Sequence, residues 1–170
     1  MEGLLALARA FGGRMESRLR IQKSAYLLKL LGAREFARTR FRYHYYGPYS
    51  RELSGSLQQA VAAGFLEEHQ SQMPFDDLTR YAYRISDAGK DWLEGFSSDV
   101  EQRFASKIPL LRQANLKTLE LAATVALLER EEYLYRNDAI VRALALKPDC
   151  ASCRDSAERL LSDLAVAPVQ

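Results

Sequence analysis

Apolar residues recur at helical spacing in several blocks of the chain, and at a spacing of two in a few short ones. Residues 2–11 read as a short helix stopped by Gly12-Gly13, because glycine readily takes the left-handed conformation that ends a helix. A second helix follows Ser17. Leu19, Ile21, Ala25, Leu27, Leu28 and Leu31 broadly keep its 3.6-residue period, Arg18, Gln22, Lys23 and Lys29 lie opposite them, and Gly32 closes it. Phe41/Tyr43/Tyr45 then alternate with Arg42/His44/Tyr46, which predicts a short strand. Gly47-Pro48 breaks that strand, and a third helix begins near Pro48 or Ser50, both suited to a first turn. Its apolar face holds Leu53, Leu57, Ala60 and Val61, with Arg51, Ser54, Gly55, Gln58 and Gln59 largely opposite, and Gly64 ends it.

Residues 65–69 and 80–85 predict two strands, joined by a polar stretch, 70–79, that is too long for a tight turn. Ser86 caps a helix running through Trp92 and Leu93. From about residue 97 strand signals stop, and helices are expected near 97–106, 112–131, 138–146 and 151–165, the third of them capped by Asn137-Asp138. The implied fold class is mainly α with a small β-sheet. A winged-helix-like domain spans residues 1–96, with 70–79 as its wing, and a helical C-terminal domain spans 97–170. Leu116, Leu119, Ala122, Ala123, Ala126 and Leu127 form an apolar stripe that suits either packing within the chain or a homodimer through the C-terminal helices.

Charge changes this picture more than bulk composition does. The 48% apolar and 27% charged fractions are those of an ordinary globular protein. No apolar run reaches the roughly 18 residues a membrane helix needs, and Glu2 precedes an N-terminal apolar run that has no basic leader. The expected location is cytoplasmic, with no membrane partner. The net charge of +2 divides into +7 over residues 1–60 (11 Lys/Arg less 4 Asp/Glu), −4 over 61–110 (5 less 9) and −1 over 111–170 (8 less 9). The basic third suits a phosphate backbone or an acidic protein surface, or is a solvated face balanced by the rest of the chain. Cys150 and Cys153 form one CxxC with no second pair of ligands nearby, so no metal or other cofactor is expected. No phosphate-binding glycine loop, zinc-protease motif or nucleophile elbow is present, and the expectation is a non-enzymatic protein.

Two stretches resemble a known bacterial family: Ile21-Gln22-Lys23-Ser24-Ala25-Tyr26-Leu27-Leu28 and Tyr46-Gly47-Pro48-Tyr49-Ser50. Gly64 to Glu68, Tyr83 to Gly89, Thr118 to Thr124 and Leu146-Lys147-Pro148 extend the likeness over most of the chain. The chain resembles the YwgA-like bacterial proteins, which are related to the SocA-like antitoxins that share the Panacea domain. Ser24 stands where the family pattern has Leu or Val. The resemblance implies a winged-helix-like fold and antitoxin-type or regulatory protein binding, with no catalytic activity.

Three groups of residues are candidates for binding. Tyr43, His44, Tyr45, Tyr46 and Tyr49 make an aromatic turn, suited either to anchoring a protein partner, such as a toxin or regulator, or to packing beneath a helix. Arg34, Arg38, Arg40 and Arg42, interleaved with aromatics, suit nucleic acid or an acidic partner, or ion pairs with Glu67, Glu68, Asp76 and Asp77. Arg51, Ser54, Gln58 and Gln59 face one side of the third helix and could read base edges of double-stranded DNA, although Glu52 opposes this. The wing itself is acidic, which favours a protein partner over DNA. The leading expectation is a protein-interaction module, and the alternative a DNA-binding regulator. They are separated by whether the arginines form one exposed patch.

Overall fold

The structure is a computed structural model that describes residues 1–73 and 76–169. Its elements are α1 (Glu2–Ala10), β1 (Arg14–Glu16), α2 (Arg18–Leu30), β2 (Arg42–His44), β3 (Gly47–Tyr49), α3 (Arg51–Ala62), β4 (Leu66–Met73) and β5 (Asp76–Ile85). Helices follow: α4 (Asp87–Trp92), α5 (Asp99–Gln102), α6 (Ile108–Gln113), α7 (Leu116–Glu131), α8 (Arg136–Leu146) and α9 (Arg154–Leu164). The fold is mainly helical, with a three-stranded antiparallel sheet in the order β1-β5-β4 and a two-stranded hairpin, β2-β3. No helix among the described residues is long and apolar enough to cross a membrane.

Several boundaries differ from the sequence expectation, each for a local reason. β1 is three residues long, too short to show a period, and exists because Arg14 to Glu16 pair with Arg84 to Ala82. Gly47-Pro48 does not simply break a strand; it forms β3, the second arm of a hairpin. The stretch expected as a long loop, 70–79, is mostly ladder, with Gln70 opposite Tyr81, Ser71 opposite Arg80 and Gln72 opposite Thr79. Gln70, Ser71 and Gln72 are all exposed, so that part of the arm has no buried side and its sequence carries no alternation to detect. The acidic tip expected at Asp76 and Asp77 lies outside the described residues as far as side chains are concerned. Asn115 divides the expected 112–131 helix by capping α7 through the Lys117 N–H (2.9 Å). α8 starts at Arg136, two residues before the expected start at 138, after Tyr135. The expected 97–106 helix is a four-residue α5 followed by a separate tight turn.

The core is built on two helices that are covered on every side. All of Ile21 to Leu28 in α2 is buried, as is Leu121 to Glu129 in α7. A helix apolar nearly all round belongs inside a domain, and α7 meets α2, β3, α8 and α9. Of the C-terminal stripe, Leu119, Ala122, Ala123, Ala126 and Leu127 are covered within this chain, and only Leu116 is exposed. One cluster of buried apolar side chains runs from Leu4 to Val166, so residues beyond 97 share a core with those before it.

Candidate functional site

The polar residues of α2 do not face water. Gln22 and Lys23 are buried with 6% and 2% exposure, and both reach the segment that follows the β2-β3 turn. Gln22 donates to the Ser50 carbonyl (3.0 Å) and accepts the Ser50 N–H (2.8 Å), so one amide satisfies both backbone groups of one residue. Lys23 Nζ donates to the Pro48 carbonyl at 3.0 Å. The Ser50 hydroxyl accepts the Leu53 N–H at 3.2 Å and caps α3, so this clamp also sets where α3 begins.

α7 and the end of α8 close on the same turn from below. Lys147 Nζ donates to the Tyr45 carbonyl (2.7 Å) and pairs with Glu120 (2.5 Å); both side chains are largely shielded from water. Gly47 lies directly on Thr124, where a β-carbon would overlap the Thr124 hydroxyl oxygen, and its φ of 85° is left-handed. His44 pairs with Gly47, leaving Tyr45-Tyr46 as a two-residue tip closed by a left-handed glycine. Burial, opposed by Glu120 and reinforced by the charge of Lys147, pushes the Lys23 ammonium down to about 8.

This buried frame holds an exposed aromatic edge. Tyr45 is 82% exposed and Tyr46 61%, while His44 packs against Tyr45 (5.1 Å between ring centres) and Tyr49 (5.2 Å). Tyr43 and His44 are exposed, and Tyr49 is half-buried.

The arginines separate into different roles. Arg34 is tied to a partner within the fold although its side chain stays exposed: its backbone and guanidinium bond the buried Asp99, at 3.2 and 2.9 Å, and Arg103 bonds the same carboxylate. Burial raises the Asp99 carboxyl, but these donors together outweigh it and hold the group below the usual carboxylate range. Arg38 lines a small hollow beside Glu35 and Glu52. Arg40, Arg42 and Arg51 line one open notch of about 750 Å³, walled by Tyr43, His44 and Tyr49. Among the described residues none of these three pairs with a carboxylate. Glu52 also borders the notch, and accepts the Arg40 N–H at 3.3 Å.

On the other side of His44 and Tyr49 lies a cleft of about 260 Å³ lined by Leu19, Ile21, Tyr46, Leu53 and Leu57. Past Ser54 and Leu57 it continues into a hollow of about 330 Å³ bordered by Gln58, Val61 and Glu68. Glu68 is occupied there by Arg18 (3.0 Å) and the Tyr83 hydroxyl (2.7 Å), the guanidinium of Arg18 lying 3.7 Å from the centre of the Tyr81 ring. The expected pairing of Glu67 and Glu68 with Arg34 to Arg42 is therefore replaced by Arg18–Glu68 and His69–Glu67.

Spacing in α2 placed Gln22 and Lys23 on a polar face, so helical periodicity missed their part in holding the tip. Lys147 gave no sequence signal beyond its position before Pro148. Cys150 is buried and Cys153 partly so, both as free thiols, and burial pushes the Cys150 thiol up to about 11.

No family model matches the chain. It is 26% identical over 113 residues to a protein named Uncharacterized protein YwgA, from Bacillus subtilis (strain 168). The chain is similar to YwgA. The match takes in 66% of this chain and 65% of the length of YwgA.

Proposed function

We propose that this is a non-enzymatic binding protein of antitoxin-like or regulatory type. On this reading a winged-helix-like unit, residues 1–96, holds an aromatic hairpin against a protein partner, and the helices after 97 brace that hairpin from behind. The observation that carries the reading is the contrast at the tip: Tyr45 and Tyr46 are exposed on a backbone gripped by the buried Lys23, Lys147 and Gln22. A protein gains nothing in its own stability from rigid, solvated tyrosines. Held in place, they bind without the entropic cost of ordering a loop. Two buried lysines are a costly way to fix a turn, which fits a turn whose shape serves a partner.

A DNA-binding reading is favoured by one feature, the convergence of Arg40, Arg42 and Arg51 in one notch. Two measurements separate the readings. The first places a photo-crosslinking benzoylphenylalanine at position 45 in cells. A discrete protein adduct that is lost with Tyr43→Ser and Tyr46→Ser supports the protein-binding reading, and absence of any such adduct overturns it. The second is fluorescence anisotropy with random duplex DNA at two salt concentrations. Binding that weakens steeply with salt and vanishes with Arg40→Glu and Arg42→Glu would move the function to DNA.

A further inference from the structure

We infer that the groove beside α3 receives a peptide segment of defined polarity, acidic at one end and apolar in its middle; this rests on the protein-binding reading above. The basic notch, the apolar cleft and the hollow beyond it are joined through shared walls. His44 and Tyr49 border the first two, and Ser54 and Leu57 the last two. Together they follow α3 from Arg51 to Ala62, 12 residues, or about 18 Å at 1.5 Å per residue. That length takes about five residues of extended chain at 3.3 Å each, or about three turns of helix.

Charge along the groove selects the occupant. Among the described residues, its exposed positive charge without a carboxylate partner lies at one end, on Arg40, Arg42 and Arg51 beside Glu52, whereas at the centre Lys23 is buried on the Pro48 carbonyl and Arg18 is paired with Glu68. The centre is lined by Leu19, Ile21, Leu53, Leu57 and the ring of Tyr46. At the far end the side chains are Gln58, Val61 and a Glu68 already neutralised by Arg18. Duplex DNA carries about one negative charge per 1.7 Å of its axis, so about ten charges would lie along this path. Only its first third could be matched by exposed arginines, and the centre would set phosphates against apolar side chains, with Lys23 buried beneath them and Arg18 already paired. A peptide with carboxylates at one end and Leu or Phe side chains in the middle meets both requirements. Forked guanidinium–carboxylate bonds would fix its direction, and the cleft between Leu53, Leu57 and Tyr46 would take its apolar anchor.

The test uses the full chain and fluorescein-labelled ten-residue peptides in fluorescence anisotropy. Each probe carries four Asp/Glu at one terminus and a Leu/Phe pair in the middle, with both chain directions made. One direction is expected to bind more tightly than the other. Replacing the acids by Lys should weaken that peptide at least tenfold, and replacing Leu/Phe by Ser at least fivefold. On the protein side, Arg40→Ala with Arg51→Ala and, separately, Tyr46→Ser should each weaken it at least fivefold. All three side chains reach solvent, so unchanged urea midpoints would show the variants to be folded.

The inference falls if neither peptide binds at 100 μM probe-saturating protein, a concentration of about ten times a weak peptide's Kd. It falls equally if the arginine variants leave binding unchanged. It also falls if ten-nucleotide oligothymidylate binds as tightly with the same arginine dependence, which would make the notch a general polyanion site. A benzoylphenylalanine adduct at position 45 alongside failed peptide binding would retain the partner-binding reading and reject this groove as its route.

Discussion

Replacing Gly47 by alanine perturbs the tip in two separable ways. Gly47 has a φ of 85°, and an L-residue in the left-handed region costs about 1–2 kcal/mol. The added β-carbon also meets the Thr124 hydroxyl oxygen well inside contact distance. Thr124 is fully buried on α7 and its hydroxyl donates to the Glu120 carbonyl at 2.7 Å, so it cannot swing away freely. Overpacking of this kind costs about 1–3 kcal/mol, so Gly47→Ala should lose about 2–5 kcal/mol. Thr124→Ala alone should lose about 1 kcal/mol, from a small cavity and one hydrogen bond within its own helix. In the double variant the overlap is gone and only the φ strain remains. The two losses should therefore be less than additive by about 1–3 kcal/mol. Urea unfolding followed by far-ultraviolet circular dichroism reads all four corners of the cycle, provided the m-values agree. A loss below about 1 kcal/mol for Gly47→Ala, or additivity within about 0.5 kcal/mol, would refute the close seating of the tip on α7.

Further outcomes follow from the same frame. Lys23 is held at about 8, below its ordinary 10.5. The folded state therefore binds fewer protons than the unfolded chain between these values, and stability rises with pH across that window. The stability of the wild type relative to Lys23→Met should grow by about 3 kcal/mol from pH 7.5 to 10.5, and a flat difference would refute the burial argument. Gln22→Ala leaves the N–H of the buried Ser50 unpaired, while its carbonyl keeps the Ser54 N–H, and should lower stability by about 1–3 kcal/mol in urea. A loss under about 1 kcal/mol would mean that water replaces the amide. The depressed Asp99 carboxyl contributes stability that is present above pH 3.8 and lost as pH falls through its lowered folded value. Asp99→Asn should thus unfold with a shallower dependence on acid than the wild type; an unchanged acid profile would sink that assignment. Tyr45→Ser should leave stability within about 0.5 kcal/mol of wild type, because the ring is solvated; a larger loss would mean that the ring packs in solution.

Local sequence signals were sufficient where one residue decides a local event. Ser17, Ser50 and Ser86 accept N–H groups at the starts of α2, α3 and α4, and Gly12-Gly13, Gly32 and Gly64 take positive φ where helices end. The predominance of helix, the small sheet and the relation to YwgA were legible for the same reason, being carried by periodicity and by short contiguous motifs. The aromatic tip was also visible, since five aromatic or imidazole residues in seven positions around Gly47-Pro48 stand out in any reading of the chain.

What a polar side chain does depended on neighbours distant in sequence. Gln22 and Lys23 look like a solvated face when α2 is considered alone; α7, about 100 residues later, covers that helix and leaves the turn's carbonyls as their partners. Arg34 resembles Arg40 and Arg42 in sequence, yet it is drawn to Asp99, 65 positions away, while the other two open onto a notch that α3 completes through Arg51. Lys147 and Thr124 acquire their roles from touching a hairpin 102 and 77 positions earlier. Helical period reports which face is apolar within one element. Burial of a charge and convergence of several charges are properties of surfaces brought together by the fold, so only the tertiary structure could assign them.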